Sequence, residues 1–207
     1  MSQITNMANI LLGVTGSVAA IKTPELVAAL MAAKHSVKVV ATESALYFFK
    51  PAELPPGVLF RDADEWPAGG YQRGETVLHI ELRKWADAFV IAPLDANTLA
   101  KLAYGLADNC LVCVARAWDM TRPMILAPAM NTLMWQHPAT ARHLRQLAED
   151  RGGQPPYSTD PDVVAAWINE QKCGLSIIGP VTKELACGDV GTGGMADLAA
   201  IVAAIPR

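Results

Sequence analysis

Three turns that follow strand-like apolar runs carry small and hydroxyl-bearing residues. Gly16-Ser17 follows the first run, residues 42–44 follow the second, and residues 95–98 follow a later one. Small residues let backbone N–H groups approach an anion, and a helix that begins there favours negative charge. The turns therefore indicate a site for one phosphate, although neither a Walker loop nor a complete GxGxxG fingerprint is present. Each could equally be a tight turn or a helix cap without a ligand.

Three further residues could take part in chemistry. His79 begins a helical pattern, and the positive end of a helix favours neutral imidazole, the form that accepts a proton. Asn131 lies between two methionines just after an apolar run. Cys187 lies in a glycine-dense segment that could cover a ligand, where a thiol could donate a proton or act as a nucleophile. The structural alternatives are a surface or capping histidine and a flexible loop that happens to contain a thiol.

Cys110 and Cys113 have the spacing of half a zinc site. The sequence contains no second CxxC and no HxxxH to complete a tetrahedral set, and the residues around the two cysteines are apolar. We therefore predict buried thiols and no metal. No GxSxG elbow is present either, which argues against a serine hydrolase of that type.

The elements that must position these residues alternate along the chain. Strand-like runs occupy residues 9–14, 36–41, 88–92 and 123–127, and helical patterns occupy 24–34, 95–104, 138–149, 162–170 and 195–205, with another helix ending at 84–87. Such alternation predicts right-handed crossovers and a parallel sheet covered on both faces, with ligands beyond the carboxyl ends of the strands. Segments 50–74 and 152–161 are rich in proline and glycine and are expected to be surface connections.

Composition limits the classes of function. A chain of 207 residues with 52% hydrophobic residues suits a single globular domain spanning residues 1–207. The net charge of −3 offers no basic face for nucleic acid or an acidic membrane. No apolar run reaches the roughly 18 residues that cross a bilayer. Four cysteines are too few for a disulfide scaffold, so a cytoplasmic protein is expected.

Five segments together resemble a known family. Residues 16–20, 77–82, 92–98, 128–135 and 186–195 resemble phosphopantothenoylcysteine decarboxylases, a branch of the homo-oligomeric flavin-containing cysteine decarboxylases. The resemblance implies a flavodoxin-like (Rossmann-like) doubly wound sheet. It also implies FMN held between the subunits of a homotrimer or a multiple of three, and phosphopantothenoylcysteine as substrate on the route to coenzyme A. No synthetase domain follows, so a monofunctional form is expected.

The resemblance also implies roles for particular positions. His79 matches the active-site base and Cys187 the proton donor on a flap at about residues 182–195. Asn131, Ala186 and Met195 match substrate contacts. The positions that match FMN contacts lie in four parts of the chain: Gly16, Ser17, Thr42, Ser44, Phe48, Asp95, Ala96, Asn97, Thr98 and Ala129.

Two departures and several alternatives accompany this interpretation. Glu184 occupies a position that is usually basic in the family, where Lys183 could compensate, and segment 152–179 is longer than usual. A regulatory relative that inhibits a phosphatase or completes a mixed trimer is one alternative. Others are a peptidyl-cysteine decarboxylase, a flavin prenyltransferase and a plain FMN carrier. The presence of His79, Asn131 and Cys187 favours the enzyme over the regulator.

Overall fold

A computed structural model describes residues 7–171, 173–184 and 190–206. Its strands are β1 Asn9–Val14, β2 Ser36–Ala41, β3 Leu59–Phe60, β4 Ala88–Leu94, β5 Met124–Pro128, β6 Leu175–Ile177, β7 Val181–Glu184 and β8 Val190–Gly194. Its α-helices are α1 Thr23–Ala32, α2 Asp62–Glu65, α3 Leu78–Trp85, α4 Ala96–Tyr104, α5 Cys110–Arg116, α6 Thr132–Trp135, α7 Pro138–Glu149, α8 Pro161–Gln171 and α9 Leu198–Ala203. Three short 3₁₀ helices span Val18–Lys22, Ala45–Tyr47 and Pro51–Glu53.

Six parallel strands form the central sheet in the order β3-β2-β1-β4-β5-β6. β3 has only two residues and lies at the edge. Without it, the remaining five strands have the 2-1-3-4-5 order of flavodoxin-like folds. The predicted doubly wound parallel sheet is therefore confirmed, and the order reverses between β1 and β4.

Both faces of the sheet are buried, as a parallel sheet requires. Alternate residues of β1 and β4 enter two separate apolar clusters, with Leu11 on one side and Leu12 on the other. We call the side that packs against α3, α4, α5, α7 and α8 the first face, and the side that packs against α1 and α9 the second face. Helices that approach a ligand from opposite faces can therefore meet only beyond a strand end.

Two segments differ from the sequence expectation. Segment 50–74 is not only a surface connection, because it contains β3 and α2, and β3 pairs with β2 through Val39 and Leu59. Segment 190–194 is not a loop but β8, which pairs antiparallel with β7. Both elements depend on pairing with residues elsewhere in the chain, so they leave little local periodicity to detect. Among the described residues, no helix is long and apolar enough to cross a membrane.

Candidate functional site

The turns after β1 and β4 are joined by one buried hydroxyl. Thr15 is fully buried, and its Oγ1 donates a hydrogen bond of 2.8 Å to the carbonyl oxygen of Pro93. The same oxygen accepts the backbone N–H of Asp95 at 2.8 Å. Since β1 and β4 flank the point where strand order reverses, these bonds define the floor of the crevice in which such sheets bind ligands.

A pocket of about 440 Å³ opens at this crevice. Its volume lies in the range of roughly 300–1,000 Å³ that is typical of small-molecule sites. Positions that the sequence singles out converge on its wall from segments far apart in the chain: Gly16, Ser17, Phe48, Asp95, Ala96, Ala129, Asn131 and Met195. The structure thus brings most of the predicted binding residues together.

Gly16 allows the turn after β1 to approach Ser44 more closely than a side chain would permit. A Cβ at this position would lie 2.5 Å from Oγ and 2.7 Å from Cβ of Ser44, and 3.5 Å from Oδ2 of Asp95. Ser44 in turn shares a 3.0 Å hydrogen bond with Thr42, whose backbone N–H donates to Val14 at 3.0 Å. Thr42 and Ser44 are not part of the pocket wall. They lie behind Gly16 and keep the β1 and β2 ends close together.

Asp95 is also a helix cap. Its carboxylate accepts the backbone N–H of Thr98 at 2.6 Å and so satisfies one of the free donors at the start of α4. Thr98 is buried and Asn97 is exposed, and neither lines the pocket. The capping alternative therefore holds for Asp95 while its side chain still contributes to the wall.

The β7–β8 hairpin forms the opposite wall of the pocket. The backbone N–H of Met130 donates to the carbonyl oxygen of Gly193 at 2.9 Å, and Nζ of Lys183 donates to the carbonyl oxygen of Met195 at 3.1 Å. Asn131 caps α6, because its Oδ1 accepts the N–H of Leu133 at 2.9 Å. Ala186 and Cys187, at the predicted tip of the flap, lie outside the described residues.

Two positively charged side chains also line the pocket wall. Lys22 ends the first 3₁₀ helix, and Lys183 lies on β7. Together with Asp95 they leave the wall with a net positive charge, which favours an anionic ligand. Lys22 follows Ser17 by five residues and is the charged member of its helix, but that pattern alone does not distinguish a ligand from solvent.

His79 lies away from this pocket. It occupies the start of α3 on the first face and does not line the wall. Its Nδ1 lies 2.7 Å from Oε1 of Glu65, and its backbone N–H donates to Oε2 of Glu65 at 2.8 Å. Glu65 is missed by the sequence interpretation, because it lies 14 residues away in the segment expected to be a surface connection.

Cys110 is buried and Cys113 is half-buried, so the prediction of buried thiols is confirmed for Cys110 only. Burial, followed by the negative charge of Glu65, raises the pKa of both thiols. Cys110 donates to Oε2 of Glu65 at 3.8 Å. Within the part of the chain that the structure describes, no group of three or more His, Cys, Asp or Glu side chains could hold a metal ion.

Comparison with known proteins defines the class. The Flavoprotein family model matches residues 2–207, so the chain belongs to the flavoprotein family. Within that class, it is 45% identical over 197 residues to a phosphopantothenoylcysteine decarboxylase of Mus musculus, covering 95% of this chain and 84% of the mouse protein. A protein of Arabidopsis thaliana with the same activity in its name is 46% identical over 189 residues, covering 91% and 78%.

Solved structures give the same result. A cysteine-to-serine variant of a PPC decarboxylase, complexed with pantothenoylaminoethenethiol, is 43% identical, with a TM-score of 0.79 over 96% of both chains. The FMN binding protein AtHal3 is also 43% identical, with a TM-score of 0.76 over 96% of this chain and 94% of its own. The flavodoxin-like fold is shared with these proteins.

Proposed function

We propose that the chain is an FMN-dependent phosphopantothenoylcysteine decarboxylase, which releases carbon dioxide to form 4'-phosphopantetheine in coenzyme A biosynthesis. The observation that carries this proposal is the convergence of eight predicted residues on one pocket at the β1–β4 crossover. The relatives named above support the activity.

The pocket fits FMN. The absence of a side chain at Gly16 lets the turn after β1 pack directly against Ser44, while Ser17, Asp95 and Ala129 contribute to one continuous wall. The turns offer backbone N–H groups and hydroxyls for one phosphate, and Lys22 adds positive charge. When bound, FMN supplies the two-electron redox chemistry of the reaction. A solved relative is named an FMN binding protein.

Each side chain then has a defined task. Asn131 would contact the carboxylate of the substrate, and Met195, which is buried at the wall, would contact its apolar part. His79 would act as the base that takes a proton from the substrate. Cys187 would return a proton from the flap formed by residues 182–195, which would cover the pocket during turnover.

The separation of His79 from the pocket supports a homotrimer or a multiple of three. Since one chain does not combine His79 with the pocket, we propose that His79 of one chain faces the pocket of the next. Large apolar side chains are exposed around the pocket, namely Val18, Ile21, Leu133 and Met134, and Val77 is exposed beside His79. Apolar surfaces of this kind are typical of interfaces between subunits.

Cysteine chemistry supports a cytoplasmic location for this enzyme. The three cysteines among the described residues are free thiols: Cys110, Cys113 and Cys173. Free thiols persist in a reducing compartment.

Two measurements on the purified protein test the function. Absorbance should reveal FMN after mild purification, and finding FAD, NAD or no flavin would contradict the cofactor. Release of carbon dioxide from phosphopantothenoylcysteine should then require the flavin. A flavin-loaded protein that releases none would be a carrier or a regulator, and one that instead accepts a peptide with a C-terminal cysteine would be a peptidyl-cysteine decarboxylase.

A further inference from the structure

The carboxylate of Glu65 is buried under the start of α3 and is surrounded by donors. Its side chain is 5% exposed, compared with 23% for His79. Oε1 pairs with Nδ1 of His79 at 2.7 Å, whereas Oε2 accepts the backbone N–H of His79 at 2.8 Å and the thiol of Cys110 at 3.8 Å. One carboxylate thus holds both the backbone and the ring of the same histidine.

The fold explains why a carboxylate is stable there. Val77 precedes α3 and provides no side-chain cap, so the first N–H groups of the helix need another acceptor. Glu65 supplies it from the end of α2, and the positive end of α3 favours its negative charge. Burial raises the pKa of the Cys110 thiol, which therefore stays protonated and donates to the carboxylate.

We propose that Glu65 is a positioning residue that holds His79 in one tautomer and one orientation. An ionised carboxylate only accepts hydrogen bonds, so Nδ1 of His79 must carry the proton of the 2.7 Å bond. In the neutral ring, Nε2 is then the unprotonated nitrogen and the atom that takes the proton from the substrate. Only the last of these statements, that Nε2 takes the proton from the substrate, rests on the proposed function.

The same helix provides a matched control. Asp62 lies at the start of α2, and its Oδ1 accepts the backbone N–H of Cys110 at 2.8 Å, at the start of α5. Asp62 therefore makes the same kind of helix-capping bond as Glu65 but touches no imidazole. Asp62→Asn keeps an accepting oxygen and removes one charge, so it reports what such a change does to structure alone.

The decisive measurement is the tautomer of His79 by ¹⁵N NMR in the flavin-loaded protein. The four histidines of the chain give separate ring signals, and His79→Asn identifies the one from His79. We expect protonated Nδ1 and bare Nε2 in the wild type. In Glu65→Gln, the side-chain NH₂ can turn toward Nδ1, so a population protonated at Nε2 should appear. Asp62→Asn should keep the wild-type signals.

Decarboxylation gives the second measurement. Glu65→Gln should lower kcat by about 10²-fold, in the range of general-base contributions, while KM changes by less than about threefold because the Glu65 side chain is buried behind the ring of His79. Asp62→Asn should stay within about threefold of wild type in both constants. A loss confined to KM, or equal losses in the two variants, would assign Glu65 a structural role only.

The tautomer and the activity separate the two proposals. A wild-type His79 protonated at Nε2, or an unchanged tautomer in a folded Glu65→Gln variant, overturns the role of Glu65 whatever the reaction is. If Glu65→Gln does not fold, the wild-type spectrum still shows which ring nitrogen of His79 is protonated and so tests the proposal. A wild-type protein with the expected tautomer but no carbon dioxide release would instead contradict the proposed function and leave the Glu65–His79 pairing supported.

Discussion

The pocket at the β1–β4 crossover and the Glu65–His79 pair consist of different types of residue on different elements. The pocket is made of turns, small residues and apolar side chains at strand ends, with Thr15 joining two turns. The pair is a partly buried hydrogen bond between an acid and an imidazole, at the start of a helix on the first face. Under the proposed function, flavin binding and proton transfer depend on separate parts of the chain, so substitutions should affect one without the other.

The largest expected effect comes from His79. His79→Asn should keep flavin binding but lower decarboxylation by about 10²- to 10⁴-fold, because asparagine can form hydrogen bonds yet takes no proton at neutral pH. Flavin absorbance and carbon dioxide release on the same sample check this. Activity within tenfold of wild type would remove His79 from the reaction, and loss of flavin would mean that the two parts are not separate.

Mixed oligomers test where His79 acts. Gly16→Trp should displace Ser44 and Asp95, distort the turns that form the pocket wall and so abolish flavin binding, whereas His79→Asn keeps the pocket and removes the imidazole. If each site combines the pocket of one chain with His79 of another, co-expression of the two inactive variants should restore about a quarter of the sites, one half times one half, under random assembly. Light scattering should show trimers or multiples of three.

The same experiment can contradict the arrangement. No recovery of activity in mixed oligomers would place His79 and the pocket of the same chain in one site. A monomer that holds flavin and turns over substrate would also exclude the shared site.

A single methyl group at Gly16 tests the fit of the pocket. Gly16→Ala should weaken flavin binding by about tenfold, or roughly 1.4 kcal/mol, because the new Cβ would lie 2.5 Å from Oγ of Ser44. Gly69→Ala is the control, since a Cβ there meets nothing within 4 Å. Titration of the apoproteins with FMN measures both. Equal affinities would show that Ser44 moves away without cost.

The smallest effect concerns the thiol beneath Glu65. The pKa of Cys110 is raised in the folded chain above its ordinary value of 9.0, so below about pH 9 the thiol is neutral in both states. Above it the unfolded thiol ionises while the folded one does not, and the free energy of unfolding falls by up to about 1.4 kcal/mol per pH unit. Urea unfolding at pH 8, 9 and 10 should show a larger loss in wild type than in Cys110→Ala, in which only the Cys113 thiol contributes. If the free energies of unfolding of the two proteins fall equally over this pH range, the raised pKa of Cys110 is contradicted.

Most of the sheet is predictable because its strands carry strong local patterns. β1, β2, β4 and β5 are apolar runs next to turn residues, and all four lie where the sequence predicts them. β6 is missed because it has three residues, and α5 is missed because its apolar run has no clear helical period. The helix predicted at 162–170 is confirmed as α8, extended by one residue at each end.

The candidate site likewise contains residues that the sequence predicts and residues that it does not. Gly16, Ser17 and Asp95 follow strand ends, and parallel strands bring those ends to one edge of the sheet, so the sequence alone predicts that they meet. Thr42 and Ser44 follow the same rule but lie behind the wall. Lys22 and Glu65 could not be found in this way, because a charged residue on a surface-like segment looks the same whether it faces solvent or a neighbour.

The amino-acid sequence by itself determined the alternation of elements, the edge of the sheet at which the candidate site lies and the types of residue available there. These properties arise from local periodicity and from the chirality of parallel crossovers, which every such chain obeys. Only the tertiary structure decided that His79 lies apart from the pocket and that Glu65 holds its ring. Both depend on how α3 packs on the first face of the sheet and on which side chains of the preceding segment contact it there.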